Sequence, residues 1–329
     1  SRNLVSPFSA SLTVDNQGSA STGRDQATLS LNYTNPLGLN DQIGLTMSRG
    51  SIENLLHFSN DAPNTETYAL SYTIPYGRFT VSLNSSKNRY RSEVEGTNTT
   101  VQTRGNSLSH SLSIGALVHQ DQISKTSATL TINRSDTENF VANSLLQSSS
   151  LISKDSNLSL SHTRRIGQAS TSISFGYGQE GLPWFNGLTD APQSLVTNPK
   201  AGFERFTLSA SYQRPFTFSD VNFSFSSSLN AQWSPDNLYA AQQMSLGGLS
   251  TVRGFRDSVI SGNIGGYLRN EINASIPLSG DNQPSNILSG IQPFFAVDFG
   301  HIKRQARFGI DGGDLIGVSY GIRISGEHV

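Results

Sequence analysis

One stretch of the chain matches a catalytic motif. Residues 317–321 read Gly-Val-Ser-Tyr-Gly, the Gly-x-Ser-x-Gly pattern that presents a nucleophilic serine at a sharp strand-to-helix turn. Here apolar residues occupy every second position from Ile316 to Ile324, which predicts an uninterrupted strand with Ser319 on its polar face. The six histidines have no metal-ligand spacing, and a rim protease built on His57 and Asp61 is the remaining enzymatic alternative. We predict no enzyme, no metal and no cofactor.

A second stretch, Leu246 to Phe255, combines three glycines with leucine, valine and phenylalanine inside a long connection. A solvent-exposed loop tip does not require that composition. Glycines allow the backbone to fold back tightly, and Val252 and Phe255 would pack on a nearby surface. We expect this connection to re-enter the protein, which leaves Arg253 in need of an acidic partner.

Two carboxylates are candidates for that partner. The alternation of residues 290–302 turns Asp298 to the polar side of its strand, and the alternation of 263–277 turns Arg269 and Glu271 to the polar side of theirs. A shielded pair of Arg253 and Asp298 would latch the connection in place, because removing one member of such a pair is costly. The alternative is that Arg253 only tunes the electrostatics of a pore.

The elements that must position these residues are strands with period-two alternation. From Val221 to Trp233, for example, the apolar side chains lie on one parity and neutral polar side chains on the other. Fourteen such segments are predicted, at residues 9–16, 24–35, 41–49, 66–75, 77–88, 104–118, 123–135, 156–164, 168–178, 203–214, 218–233, 263–277, 290–302 and 315–325.

The connections between these segments alternate in length. Short ones, such as 35–38 and 165–167, are followed by long ones, such as 136–155, 179–202 and 234–262. This is typical of an outer-membrane barrel with tight periplasmic turns and long external loops. A soluble β-sandwich or solenoid would carry more Lys and Glu on its exposed face. The prediction is an all-β, transmembrane antiparallel β-barrel.

Composition agrees with this class. Hydrophobic residues make up 35% of the 329 residues and charged residues only 14%, so the polar content is mostly neutral. No apolar run is long enough for a membrane helix. A net charge of −1 without a basic block gives no footprint for nucleic acid, and the absence of cysteine suits an oxidising compartment.

At Val252-Arg253-Gly254-Phe255 the chain resembles the Val-Arg-Gly-Phe/Tyr motif on the sixth external loop of TpsB transporters of two-partner secretion. Further similarity extends along the chain, at 15–24, 35–38, 232–236, 269–271 and 298–300. The family motif has a phenylalanine two residues before the acidic partner, where this chain has Ala296.

The resemblance implies a sixteen-stranded barrel preceded by a plug helix and two POTRA domains, with Arg253 paired to Asp298. By this comparison we expect residues 1–329 to be the barrel domain alone, without the POTRA domains, the plug helix or the last two strands. The expected location is the outer membrane of a Gram-negative bacterium, among lipid and lipopolysaccharide, as a monomer. The expected partner is one secreted exoprotein: a haemolysin, adhesin or contact-dependent inhibition toxin. A diffusion porin and an insertase-like barrel remain the alternatives.

Overall fold

The computed structural model describes residues 6–16, 25–50, 64–95, 100–146, 150–180, 199, 202–255, 259–277 and 290–325. His57, Asp61 and most of the similar stretch at 15–24 lie outside this range. Within it, no helix has the length and apolar character needed to cross a membrane.

Seventeen strands account for most of the described chain. They are β1 (Phe8–Asp15), β2 (Gln26–Thr34), β3 (Gln42–Gly50), β4 (Asn64–Tyr76), β5 (Phe79–Glu95), β6 (Thr100–Gln120), β7 (Ser124–Val141), β8 (Ser144–Leu145), β9 (Leu151–Ile166), β10 (Ala169–Glu180), β11 (Glu204–Phe218), β12 (Val221–Trp233), β13 (Met244–Leu246), β14 (Ile260–Gly262), β15 (Gly265–Pro277), β16 (Gly290–Ile302) and β17 (Gly313–Ser325). Two short 3-10 turns, Ala240–Gln242 and Ala306–Phe308, complete the elements.

Fourteen of these strands follow one another in chain order through one sheet, β8 extends β7, and β13 pairs with β14 separately. Adjacent strands are antiparallel; Leu229 of β12, for example, lies opposite Leu268 of β15, and Leu268 lies opposite Phe299 of β16. Each predicted strand corresponds to one of the fourteen, so the all-β antiparallel prediction is confirmed. The reason is that each strand has one apolar and one polar face over the segment that the sequence predicted.

The predicted bounds were wrong at several ends. β5 continues to Glu95 instead of 88, β7 ends at Val141 instead of 135, and β9 begins at Leu151 instead of 156. These extensions carry polar residues on both faces, so alternation cannot reveal them. The turn between β11 and β12 lies at Ser219–Asp220, whose positive φ angles of 46° and 64° suit a two-residue hairpin turn.

Two compact units make up the fold, and each has its own internal contacts. The first consists of residues 1–117, 128–158 and 178–191. On its polar face, hydroxyl side chains bond from strand to strand, as Ser109 does with Ser135 and Ser113 with Thr131. On its apolar face, large side chains such as Leu70 and Leu83 are about half exposed. An apolar face left open in this way is what lipid would cover.

The second unit consists of residues 118–127, 159–177 and 192–329 and contains the buried apolar cluster. Its fully or almost fully buried members are Leu246, Val252, Ile302, Ile310 and Leu315. Leu246 and Val252 belong to the connection 234–262, which therefore is not a solvent-exposed loop. The connection also contains β13 and β14. The sequence did not predict these two strands, because three residues are too few to show an alternating pattern.

Candidate functional site

The connection 234–262 is anchored at its base by amide hydrogen bonds. Asn263 is fully buried, and its Oδ1 accepts a hydrogen bond from the backbone N–H of Leu238 at 3.0 Å. The Nδ2 of the same side chain donates to Asn237 at 3.3 Å. β13 and β14 then pair from Met244↔Gly262 to Leu246↔Ile260. β13 and β14 thus form a small two-stranded ladder within the connection.

Beyond this ladder the chain turns sharply between Gly247 and Phe255. Gly247, Gly248 and Gly254 have φ angles of 128°, 82° and 96°, in a region that residues with a Cβ rarely adopt. The Thr251 hydroxyl accepts from the Gly247 N–H at 2.8 Å and donates to the Gly247 carbonyl at 2.7 Å, and the Gly248 N–H donates to the Phe255 carbonyl at 2.7 Å. The turn presents Val252 and Arg253 to the sheet.

Val252 contacts the polar face of the sheet where two strands lack side chains. A Cβ atom added at Gly300 of β16 would lie 2.7 Å from Val252 Cγ2 and 3.0 Å from Leu246 Cδ1. A Cβ atom added at Gly317 of β17 would fall on the carbonyl oxygen of Arg253. These two glycines therefore form the receptor surface for the turn, and Val252 is completely buried against it.

Arg253 is bound to Asp298 by three hydrogen bonds. Its Nε donates to Asp298 Oδ2 and its Nη2 to Oδ1, both at 2.6 Å, and its backbone N–H donates to Oδ2 at 3.0 Å. Asp298 is fully buried and Arg253 is 9% exposed. A two-pronged, charge-assisted contact of this kind fixes both distance and orientation.

A second carboxylate completes the coordination of the guanidinium group. Arg253 Nη1 donates to Glu271 Oε2 of β15 at 2.7 Å. Glu271 also accepts two hydrogen bonds from Arg323 of β17, at 2.6 and 3.1 Å, and the Arg323 guanidinium carbon lies 4.2 Å from the centre of the Phe294 ring. The connection is therefore tied to three neighbouring strands, β15, β16 and β17.

Arg269 holds the other side of the turn. Its Nη1 donates to the Ser250 carbonyl at 2.8 Å, and its Nε lies 3.9 Å from Asp298 Oδ2. Arg269 and Asp298 are directly paired positions of β15 and β16. Both arginines thus face the same carboxylate, which reduces the cost of burying its charge.

The structure brings six of the seven predicted site residues into one cluster or its hydrophobic surround: Val252, Arg253, Phe255, Asp298, Arg269 and Glu271. Gly254 contributes its backbone conformation. Sequence reasoning left open which acid pairs with Arg253, and both do. It missed Arg323, Gly300 and Gly317. The alternation of β17 could have placed Arg323 on the polar face. The role of the two glycines could not be predicted, because it depends on where the turn contacts the sheet.

This arrangement binds one segment of the chain to another and offers no reactive pair. Among the described residues, no group of three potential metal ligands exists. Ser319, the residue of the hydrolase-like pattern, lies within β17 opposite Ala296 of β16, without the turn that an elbow requires. The site holds the connection by ion pairing and hydrogen bonding.

Alternating strands in one antiparallel sheet, with a buried connection tied to the polar face, define the class of outer-membrane β-barrels. Residues 2–324 match the family described as haemolysin secretion/activation protein ShlB/FhaC/HecB. The chain belongs to this family.

Named relatives agree. The chain is 32% identical over 330 residues to an outer membrane transporter CdiB of Escherichia coli, covering 98% of this chain and 52% of the relative. It is 28% identical over 328 residues to the hemolysin transporter protein HpmB of Proteus mirabilis, covering 97% and 54%. The solved structure of CdiB from Escherichia coli superposes with a TM-score of 0.84 at 30% identity, covering 97% of this chain and 56% of that one.

The chain spans about half the length of the curated relatives it matches. The predicted location in the bacterial outer membrane and the predicted membership of the two-partner secretion transporters are confirmed by these matches. The relatives are named as transporters.

Proposed function

We propose that this chain is the membrane-spanning part of a pore that exports one partner exoprotein across the outer membrane, and that the connection 234–262 is a latch inside its lumen. The observation that carries the proposal is the cluster of Arg253 with Asp298 and Glu271. It ties an apolar, glycine-rich turn to the polar face of three strands. A latch needs an attachment that is position-specific and reversible, and a multiply hydrogen-bonded ion pair has both properties.

The partner would be a secreted haemolysin, adhesin or inhibition toxin, crossing unfolded and folding outside. The two curated relatives described above are named outer membrane transporter CdiB and hemolysin transporter protein HpmB, and the second name supports a haemolysin-like cargo. No catalytic step is part of the proposal; folding of the cargo outside would supply the free energy. The pore would work as a monomer surrounded by lipid and lipopolysaccharide, without nucleic acid.

A substrate-specific porin is the competing function. Porins fold a polar, charged constriction loop into the lumen, whereas here Leu246 and Val252 of the connection are completely buried and only Arg253 carries charge in the turn. An insertase-like barrel is the third candidate. Membership of a family of secretion transporters favours export over both.

The test is secretion of the candidate exoprotein by cells that express the full-length protein. Arg253→Ala and Asp298→Ala should each reduce secretion strongly, and the double variant Arg253→Asp with Asp298→Arg should recover part of it. Arg214→Ala is the matched control, because Arg214 lies on the apolar face opposite Phe225 of β12. All variants must reach the outer membrane in equal amounts.

Equal secretion by Arg253→Ala and the parent would overturn the latch. Unchanged secretion combined with altered small-solute permeation would favour the porin, whereas a defect in the assembly of other barrels would favour the insertase.

A further inference from the structure

The apolar face of the first unit carries an unexpected row of basic side chains. The hydrogen bonds Ser109–Ser135 and Asn133–Asp155, on the polar face, align β6 with β7 and β7 with β9. The neighbours of these residues point to the opposite, apolar face: His110 follows Ser109, Arg134 lies between Asn133 and Ser135, and Lys154 precedes Asp155. His110, Arg134 and Lys154 therefore lie in one row across three strands. Lys87 of β5, paired with Leu108 of β6, lies one step nearer the long connections.

Three of these basic side chains have no partner within the part of the chain that the structure describes. Among the described residues, Lys87, Arg134 and Lys154 make no side-chain hydrogen bond or ion pair; the one contact given for Lys154 is made by its backbone N–H. Asp136, two residues beyond Arg134 on the same face, can offset one charge. Arg134 and Lys154 are nevertheless placed opposite each other on adjacent strands, and like charges in that position repel.

A groove lies directly beside the basic row. It has a volume of about 600 Å³, and its lining includes Arg134, Lys154 and His110 together with Asp155, whose carboxylate accepts a hydrogen bond from Asn133. Its apolar lining consists of Leu70, Tyr72, Leu83, Leu112 and Ile132. The groove exists because small Ser85 lies between Leu70 and His110 in the cross-strand row. It therefore joins an apolar slot to a cationic rim.

The height of the row on the strands matches a lipid headgroup. Lys87 is eight residues along β5 from Phe79, which begins the strand after a short turn. At about 3.4 Å per residue and a strand tilt of about 40°, Lys87 stands about 20 Å above that turn, and Arg134, ten residues along β7 from Ser124, stands about 26 Å above its own short turn. Both heights fall near the far edge of an apolar band about 25 Å tall. The long connections lie beyond it, so this is the external edge.

We propose that Lys87, Arg134 and Lys154 bind the phosphate of an outer-leaflet glycolipid, the phosphorylated lipid A part of lipopolysaccharide, with an acyl chain in the adjacent groove. A phosphate supplies several acceptor oxygens, and its negative charge would offset the repulsion between Arg134 and Lys154. Basic pockets at a membrane edge recognise anionic headgroups in this way. The inference rests on the outer-membrane location and is independent of the exported cargo.

The test measures lipid retention by the full-length protein, purified in detergent, using native mass spectrometry. The probes are lipid A, dephosphorylated lipid A, phosphatidylglycerol and inorganic phosphate. The variant is Arg134→Gln with Lys154→Gln. Its matched control is Arg164→Gln with Arg214→Gln, two arginines on apolar strand faces near the short connections. Each protein is first shown to be folded by its heat-modifiable migration on gels.

We expect the parent and the control to bind lipid A equally, and the Arg134/Lys154 variant to bind it at least tenfold more weakly. The parent should bind dephosphorylated lipid A and phosphatidylglycerol at least tenfold more weakly than lipid A. Equal binding of either lipid, equal binding by the variant, or displacement of lipid A by an equal concentration of inorganic phosphate would overturn the site. The lipid comparison uses the unmodified protein, so it decides the matter even if the variant does not fold.

Discussion

The carbonyl oxygen of Arg253 lies so close to Gly317 that a Cβ atom at residue 317 would overlap it. Glycine at position 317 is therefore a condition for seating the turn of the connection on β17. The same carbonyl belongs to the residue whose guanidinium group binds Asp298 and Glu271, so backbone fit and ion pairing act on one residue. A change at Gly317 is therefore expected to reach the ion pair of Arg253 as well.

We therefore expect Gly317→Ala to push the turn away from β17. Inserting a methyl group into a closely packed site costs about 1–3 kcal/mol, and here it should also loosen the burial of Val252. The measurement is the free energy of unfolding, followed by loss of the heat-modifiable form, together with protease cleavage in the connection. Gly115→Ala is the control, because a Cβ there would meet no atom closer than 3.5 Å. Equal behaviour of the two variants would contradict the seating role.

The two carboxylates should contribute unequally to stability. Asp298 accepts three hydrogen bonds from Arg253 and is fully buried, whereas Glu271 accepts one from Arg253 and keeps Arg323 as a second partner. Asp298→Asn should cost about 3–5 kcal/mol, as breaking one side of a buried pair does. Glu271→Gln should cost about 1–3 kcal/mol, the range for a charged hydrogen bond. Equilibrium unfolding of both variants checks the order, and the reverse order would contradict it.

Arg323 should act only through Glu271. Its side chain is 48% exposed, so the ion pair alone should be worth no more than about 1 kcal/mol. Arg323→Gln should lower stability slightly in the parent and not at all in the Glu271→Gln background. A double-mutant cycle on the unfolding free energies measures this coupling. Strict additivity of the two changes would show that Arg323 works through Phe294 or not at all.

A pH-dependent contact lies in the short turn between β2 and β3. Burial by itself would raise the pKa of Asp41, but hydrogen bonds from the Tyr72 hydroxyl at 2.7 Å and from the backbone N–H groups of Leu37 and Leu39 outweigh it and hold that pKa below its usual 3.8. Because the folded-state pKa is the lower one, the stabilisation is complete above about pH 3.8 and is lost as pH falls through the lowered value.

Asp41→Asn should therefore remove the part of the pH dependence that lies below about pH 3.8 and leave the slope at higher pH unchanged. Unfolding midpoints measured from pH 2.5 to 7 give the comparison. Asp220→Asn is a suitable control, because Asp220 lies in a different turn, the one between β11 and β12, and is exposed. The assignment would be refuted if the unfolding midpoints of the parent and of Asp41→Asn fell equally steeply below about pH 3.8.

The features of the fold and of the site that could be predicted from the sequence are those that depend on neighbouring residues of one strand. The fourteen main strands were recognisable from Val221–Trp233 and similar segments, because a two-faced strand must alternate wherever one face meets lipid. The same parity turned Asp298, Glu271 and Arg269 to the polar face. Strand ends such as those of β5 and β7 were not recognisable, because both faces are polar there and the period vanishes.

By itself, then, the sequence determined the strand pattern, the polar or apolar side of each residue, and the presence of a glycine-rich connection that must pack on something. Only the tertiary structure decided where that connection lands: Val252 over Gly300, the Arg253 carbonyl against Gly317, and one guanidinium group shared by Asp298 and Glu271. The physical reason is that facing is a property of each strand's own period, whereas contact depends on the register between strands distant in the chain.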